Sequence, residues 1–117
     1  MNTPPKPAVL HGGAQRLPIR WANVEQPPIT ISRYRIAPAD KVSLHVHTGK
    51  GEYWVIVTGS GTVEVGDRTI PVVEGDVVWT PPRVPHALTN TGSSPLEFVN
   101  IVQLVGDEPL STTELAP

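Results

Sequence analysis

Four side chains in this sequence have types and spacings that could hold a metal ion: His45, His47, Glu52 and His86. His45 and His47 are two apart in a segment that alternates as a β-strand does, so both imidazoles project from one face. On a solvent face the pair means little; inside a barrel two imidazoles in one small cavity invite a cation. The apolar residues between and before them, Val46 and Leu44, tilt the reading toward an interior. Glu52 follows a short turn at Gly49-Lys50-Gly51, and an antiparallel return sets it beside His47. It opens the run Tyr53-Trp54-Val55-Ile56-Val57, where an ionised carboxylate is costly unless paired or metal-bound. His86 stands later, on a segment with Val84 and Leu88. Three imidazoles, one carboxylate and no thiolate suit one divalent transition metal per chain, iron first, with manganese, nickel, copper or zinc as alternatives. Such a set leaves open positions where a small-molecule substrate or dioxygen can bind.

The elements that position these groups must be strands. The chain has 117 residues, of which 14 are proline and 10 glycine. Proline removes a donor and clashes within a helix, so a chain punctuated this densely reads as short strands between turns. Residues 1–28 hold Pro4, Pro5, Pro7, Pro18, Pro27 and Pro28 and read as an extended arm, with one short strand near Leu17–Trp21. Strand patterns follow from Ile29 to Ile36, Val42 to Thr48, Glu52 to Thr58, Thr62 to Val65, Arg68 to Ile70, Val77 to Trp79, Val84 to Thr89 and Leu96 to Val105. Gly66-Asp67 is a two-residue hairpin signal. Residues 106–117 read as a loose polar tail. The expected architecture is one all-β domain over 1–117, with a jelly-roll barrel at 29–105, since closure removes exposed edges.

Composition excludes several functions. Without cysteine there are no disulfides, thiolate ligands or cysteine nucleophile. A net charge of −2 gives no electrostatic case for nucleic acid or an anionic membrane. Met1 to Pro7 lacks the apolar run of a signal peptide, and no stretch approaches the ~18 apolar residues that span a bilayer, so a cytoplasmic protein is expected. The apolar patches of the arm (Val9, Leu10, Leu17, Ile19, Trp21) could add a strand to a neighbour's sheet and lock a homodimer.

The punctuation around the four ligands carries a resemblance. His45-Val46-His47, four residues, Glu52, six residues and Gly59 resembles the first motif of the cupin superfamily. Gly75, five residues, Pro81, one residue, Arg83, two residues, His86, three residues and Asn90 resembles the second, with the short inter-motif spacing of small single-domain microbial cupins. Ala39 and Arg83 stand where those motifs have glycine. The resemblance implies a double-stranded β-helix and assigns the metal to His45, His47, Glu52 and His86. It leaves the reaction open, because one scaffold hosts many chemistries. The leading expectation is a dioxygenase-type reaction on a small polar molecule. The alternatives are an oxygen-independent lyase, isomerase or decarboxylase, with a sugar or sugar phosphate among its candidate substrates, or a non-enzymatic module that binds or senses a metabolite. Glu52, beyond its ligand role, and Tyr34 are candidates for proton transfer. Trp54 reads as core, Arg33 and Arg35 as an outer face, Asn90 as a turn former and His11 as a surface residue.

Overall fold

The computed structural model describes residues 8–9, 12–25 and 29–116; His11 and the prolines at 4, 5, 7, 27 and 28 lie outside this set. Eleven strands run in order: β1 (Ala8–Val9), β2 (Gln15–Leu17), β3 (Thr30–Ile36), β4 (Lys41–Thr48), β5 (Lys50–Thr58), β6 (Ser60–Val65), β7 (Arg68–Val73), β8 (Val77–Thr80), β9 (His86–Asn90), β10 (Leu96–Leu104) and β11 (Ser111–Ala116). They form a six-stranded sheet, β1-β2-β3-β10-β5-β8, and a five-stranded sheet, β11-β4-β9-β6-β7. Among the described residues all strand pairings within them are antiparallel, as expected of a jelly roll whose two inner faces share one core. No helix long and apolar enough to cross a membrane occurs among the described residues.

The interior follows from period-two alternation. Along β5, Glu52, Trp54 and Ile56 are buried while Tyr53 and Val57 are exposed. Along β10, Leu96, Phe98 and Asn100 are buried. Ile36, Val42, Val63, Val72, Val78 and Leu88 complete the apolar core. The expected hairpin at Gly66-Asp67 is present, with Val65 opposite Arg68 and Gly66 at a φ of 61° that a side chain would resist. Pro71 sits within β7, an edge strand, where its missing donor costs no ladder bond.

Two sequence expectations differ from the structure. The segment read as a loose tail contains β11, which pairs with β4 from Ser111↔Thr48 to Ala116↔Leu44. Its residues are all exposed, so apolar burial gives no signal and backbone pairing to the β4 edge holds it. The strand expected near Leu17–Trp21 lies instead at Gln15–Leu17, set by its register with Arg33 to Arg35 on β3.

The two positions where the resemblance expects glycine keep glycine's backbone. Ala39 has φ 66° and Arg83 has φ 64°. Left-handed geometry costs an L-residue roughly 1–2 kcal/mol. Local bonds hold both turns: Asn90 N donates to the Asp40 carbonyl beside Ala39, and Arg83 N donates to the His47 carbonyl at 2.7 Å. Arg83 is further clamped by Glu108, with Nε–Oε2 at 2.9 Å and Nη2–Oε1 at 2.7 Å.

Candidate metal centre

A break in strand periodicity places the histidines inside. Val42 on β4 faces the core, and strict alternation from it would put Leu44 and Val46 inward with the histidines outward. The pairing of β4 with β9 shifts by one residue between Val42↔Leu88 and His45↔His86, and Val42 and Ser43 are both buried. Such an irregularity exchanges the faces of the residues that follow it. His45 and His47 consequently point inward and are buried, while Leu44 and Val46 are only half-buried. His86 lies directly across the ladder from His45, with ring centroids 4.3 Å apart.

Glu52 reaches the group from the other sheet. β4 and β5 are consecutive but belong to opposite layers, so Glu52 faces His47 across the interior rather than beside it in one sheet. Its Oε1 lies 3.5 Å from His47 Nε2 and 3.8 Å from His86 Nε2. One ligand atom from each of His45, His47, Glu52 and His86 lies within 4.8 Å of all the others, and all four residues are buried.

The hydrogen bonds behind these groups set them up as ligands. His45 Nδ1 faces the Ser43 carbonyl at 2.7 Å and His86 Nδ1 faces the Val84 carbonyl at 3.0 Å. A carbonyl only accepts, so each Nδ1 carries the proton and each Nε2 keeps its lone pair. His47 Nδ1 meets Thr112 Oγ1 on β11 at 2.8 Å. Asn100 Nδ2 donates to Glu52 Oε2 at 3.1 Å, and Lys50 Nζ lies 3.7 Å from the same oxygen. Burial pushes the Glu52 carboxyl up, but the His47 imidazole 3.5 Å away, the hydrogen bond from Asn100 and the Lys50 charge outweigh it and bring it to about 2. Burial pushes His86 down to about 4, aided by His45 and His47 and opposed by the Val84 bond and Glu52. At neutral pH the carboxylate is therefore ionised and His86 neutral, the forms that bind metals.

The donor set fits a metal on one further observation. His47 Nε2 and His86 Nε2 are buried and have no hydrogen-bond partner, although both are aimed into the cluster. Buried polar atoms without partners are rare and costly, and a cation at the focus of the four groups satisfies both.

The cluster opens onto a cavity of about 220 Å³. Tyr34 lines it, half-buried and stacked on Phe98 with centroids 5.1 Å apart, so the structure brings this sequence candidate to the same space as the cluster. Trp54 packs edge-on against His86 at 5.3 Å and against Phe98 at the same separation, as a core aromatic. Arg33 and Arg35 lie on the outer face, where Arg35 pairs with Glu97 at 2.8 Å. Asn90 does form a turn, accepting from Gly92 N, yet it is buried and also donates to the Ile36 and Ser94 carbonyls, tying β9 to β3.

Sequence reasoning missed Asn100, Thr112, Lys50 and Arg16. Asn100 had a signal: it is polar, two residues from Phe98 on the same face, in a run otherwise apolar from Phe98 to Val102. Lys50 sits in a glycine-flanked turn signal of the sequence but begins β5, two residues from Glu52 and on its face. Thr112 and Arg16 had none, since they lie in segments read as tail and arm.

Known proteins agree with this architecture. The chain is 32% identical over 74 residues to an oxalate-binding protein of Thermotoga maritima, covering 63% of this chain and 61% of that protein. It is 32% identical over 66 residues to a mannose-1-phosphate guanylyltransferase of Salmonella typhimurium, of which it spans only 14%. Among solved structures, a predicted oxalate decarboxylase of Thermotoga maritima aligns with TM-score 0.72 at 25% identity, over 88% of this chain and 93% of that one. A Cupin 2 conserved barrel domain protein of Salinispora arenicola aligns with TM-score 0.68 at 25% identity, over 87% of each chain. The Cupin domain family profile matches residues 32–102, which contain all four clustered residues and most of both sheets, and the chain belongs to that family.

Proposed function

We propose that this chain is a metal-dependent enzyme that binds a small polar molecule at a three-histidine, one-glutamate centre and reacts it with dioxygen. The observation that carries the metal is the pair of unpartnered imidazole nitrogens aimed at an ionised Glu52. His45, His47, Glu52 and His86 would hold the ion, and the cavity beside them gives room for a substrate. A divalent transition metal bound there would supply Lewis acidity, a template for substrate oxygens and, if iron, redox chemistry. Glu52 is the ligand we also assign a proton-accepting role, with Asn100 keeping its second oxygen oriented. Tyr34 is the cavity hydroxyl placed to donate or receive a proton.

A second reading dispenses with dioxygen. It is favoured by the likeness to proteins named for oxalate binding and oxalate decarboxylation, and by a cavity whose lining includes two proton-bearing groups, Tyr34 and Lys50. In that reading the chain is a lyase or decarboxylase using the same four ligands. Two copies pairing through the N-terminal arm, on which Ile19 is exposed, belong to the same proposal; a monomer mass at micromolar concentration would contradict the pairing.

Elemental analysis of freshly purified protein followed by an oxygen-uptake screen with small carboxylates and sugar phosphates tests the reading. Iron with substrate-dependent uptake is the expected result. Substrate consumption without uptake transfers the assignment to the second reading, and a chain that retains no metal and turns over nothing overturns both.

A further inference from the structure

The charges around the cavity are lopsided. Its lining includes the guanidinium of Arg16 and the ammonium of Lys50, and among the described residues its only carboxylate is Glu52. Glu52 belongs to the candidate ligand set, so a divalent ion would leave the cavity still more positive. The remaining polar lining, Thr30, Ser32, Tyr34, Asn100 and Thr112, adds no negative charge. Such a space concentrates anions and disfavours cationic or neutral guests.

The two cations reach the cavity from different elements. Arg16 sits on β2 opposite Tyr34 of β3, and its Nη2 lies 3.4 Å from Ser32 Oγ, a residue buried on the inner face. Lys50 begins β5 and projects to the same side as Glu52, its side chain 23% exposed and Nζ 3.7 Å from Oε2. Arg16 has no carboxylate partner among the described contacts, unlike Arg35 and Arg83, which both pair with glutamates. A guanidinium beside a metal cavity without an acidic partner presents a planar two-pronged donor that matches a carboxylate.

We infer that the cavity selects a small dicarboxylate, with one carboxylate at the metal focus and the other gripped by Arg16 and Lys50. This deepens the reading of the centre as the place where the small molecule binds and rests on it. The segment carrying Arg16 lies outside the region matched by the family profile, so the anion grip belongs to this chain's own N-terminal strand. A cavity of about 220 Å³ admits a dicarboxylate of a few carbons.

The test is calorimetric titration of oxalate and of malonate into the manganese-loaded chain, with neutral oxamide and inorganic phosphate as controls. The expected order is dicarboxylate tightest, phosphate weaker and oxamide undetectable. Arg16→Met and Lys50→Met should each weaken dicarboxylate binding by about tenfold or more, the range for losing a hydrogen bond to a charged group, with manganese stoichiometry unchanged. Arg16→Lys keeps the charge and loses the fork, and should fall between wild type and Arg16→Met; it also reports the role if the methionine variant does not fold. Oxamide binding as tightly as oxalate, or wild-type affinity in both methionine variants, overturns the inference. Phosphate binding tightest replaces the dicarboxylate with a phosphate ester. The same titrations on the metal-free chain should keep the preference for oxalate over oxamide at lower affinity. A chain that takes no manganese yet keeps that preference would sink the metal centre and leave the anion grip standing.

Discussion

Along β5 the inward residues run Glu52, Trp54, Ile56; along β10 they run Asn100, Phe98, Leu96; along β9 they run His86, Leu88 and then Asn90. The same strands thus build two unlike regions of one interior. One holds the three-histidine, one-glutamate cluster, Asn100 and the cavity lined by Arg16 and Lys50. The other holds Ile36, Ile56, Val63, Leu88 and Leu96, each essentially inaccessible to water. Trp54 and Phe98 lie between them, in contact with each other, with His86 on one side and with the aliphatic cluster on the other. The difference separates two tasks. The apolar region can stabilise the barrel by burial alone, at roughly 25 cal/mol per Å² of apolar surface. That leaves the polar region free to keep two unsatisfied imidazole nitrogens, a local cost the fold tolerates and a metal would reverse.

Substitutions in each region should break one property and spare the other. The largest effect is expected for His86→Ala, which removes a ligand at the centre of the cluster. Metal affinity should fall by well over ~100-fold, since losing even a group that supports a ligand costs about 10–100-fold. Far-ultraviolet circular dichroism should remain that of a β-barrel, and unchanged metal content would contradict the ligand set. Leu96→Ala should do the reverse, lowering unfolding free energy by about 2–5 kcal/mol in denaturant titrations while the folded chain keeps its metal stoichiometry. Asn100→Ala removes the donor to Glu52 Oε2 and should weaken metal binding by about 10–100-fold, measured by competition with a chelating dye. Thr112→Val on β11 removes the partner of His47 Nδ1 and should weaken it least, at the lower end of about tenfold. A wild-type affinity for Thr112→Val would mean that β11 covers the edge of β4 without orienting the histidine.

The apolar region was the more legible of the two. Alternation on β5 and β10 announces which residues face inward, and the dense glycines and prolines announce the turns. The residues that cluster were legible too, because a glutamate at the head of so apolar a run is out of place. Their geometry was not. The register shift between Val42 and His45 is a property of pairing with β9, so no local pattern in the sequence encodes it. Glu52 crosses to the other sheet because Gly49, at φ 77°, turns the chain between layers rather than into a hairpin. β11 and Arg16 escaped because exposed polar strands carry no burial signature.

X-ray absorption at the metal edge of the manganese- or iron-loaded chain tests the central claim most directly, because it counts the ligands around the ion. The account predicts one ion per chain with three imidazoles and oxygen donors in its shell, and one imidazole fewer in His86→Ala. A wild-type shell of oxygen alone, or a shell unchanged in His86→Ala, would contradict a centre built from His45, His47, Glu52 and His86.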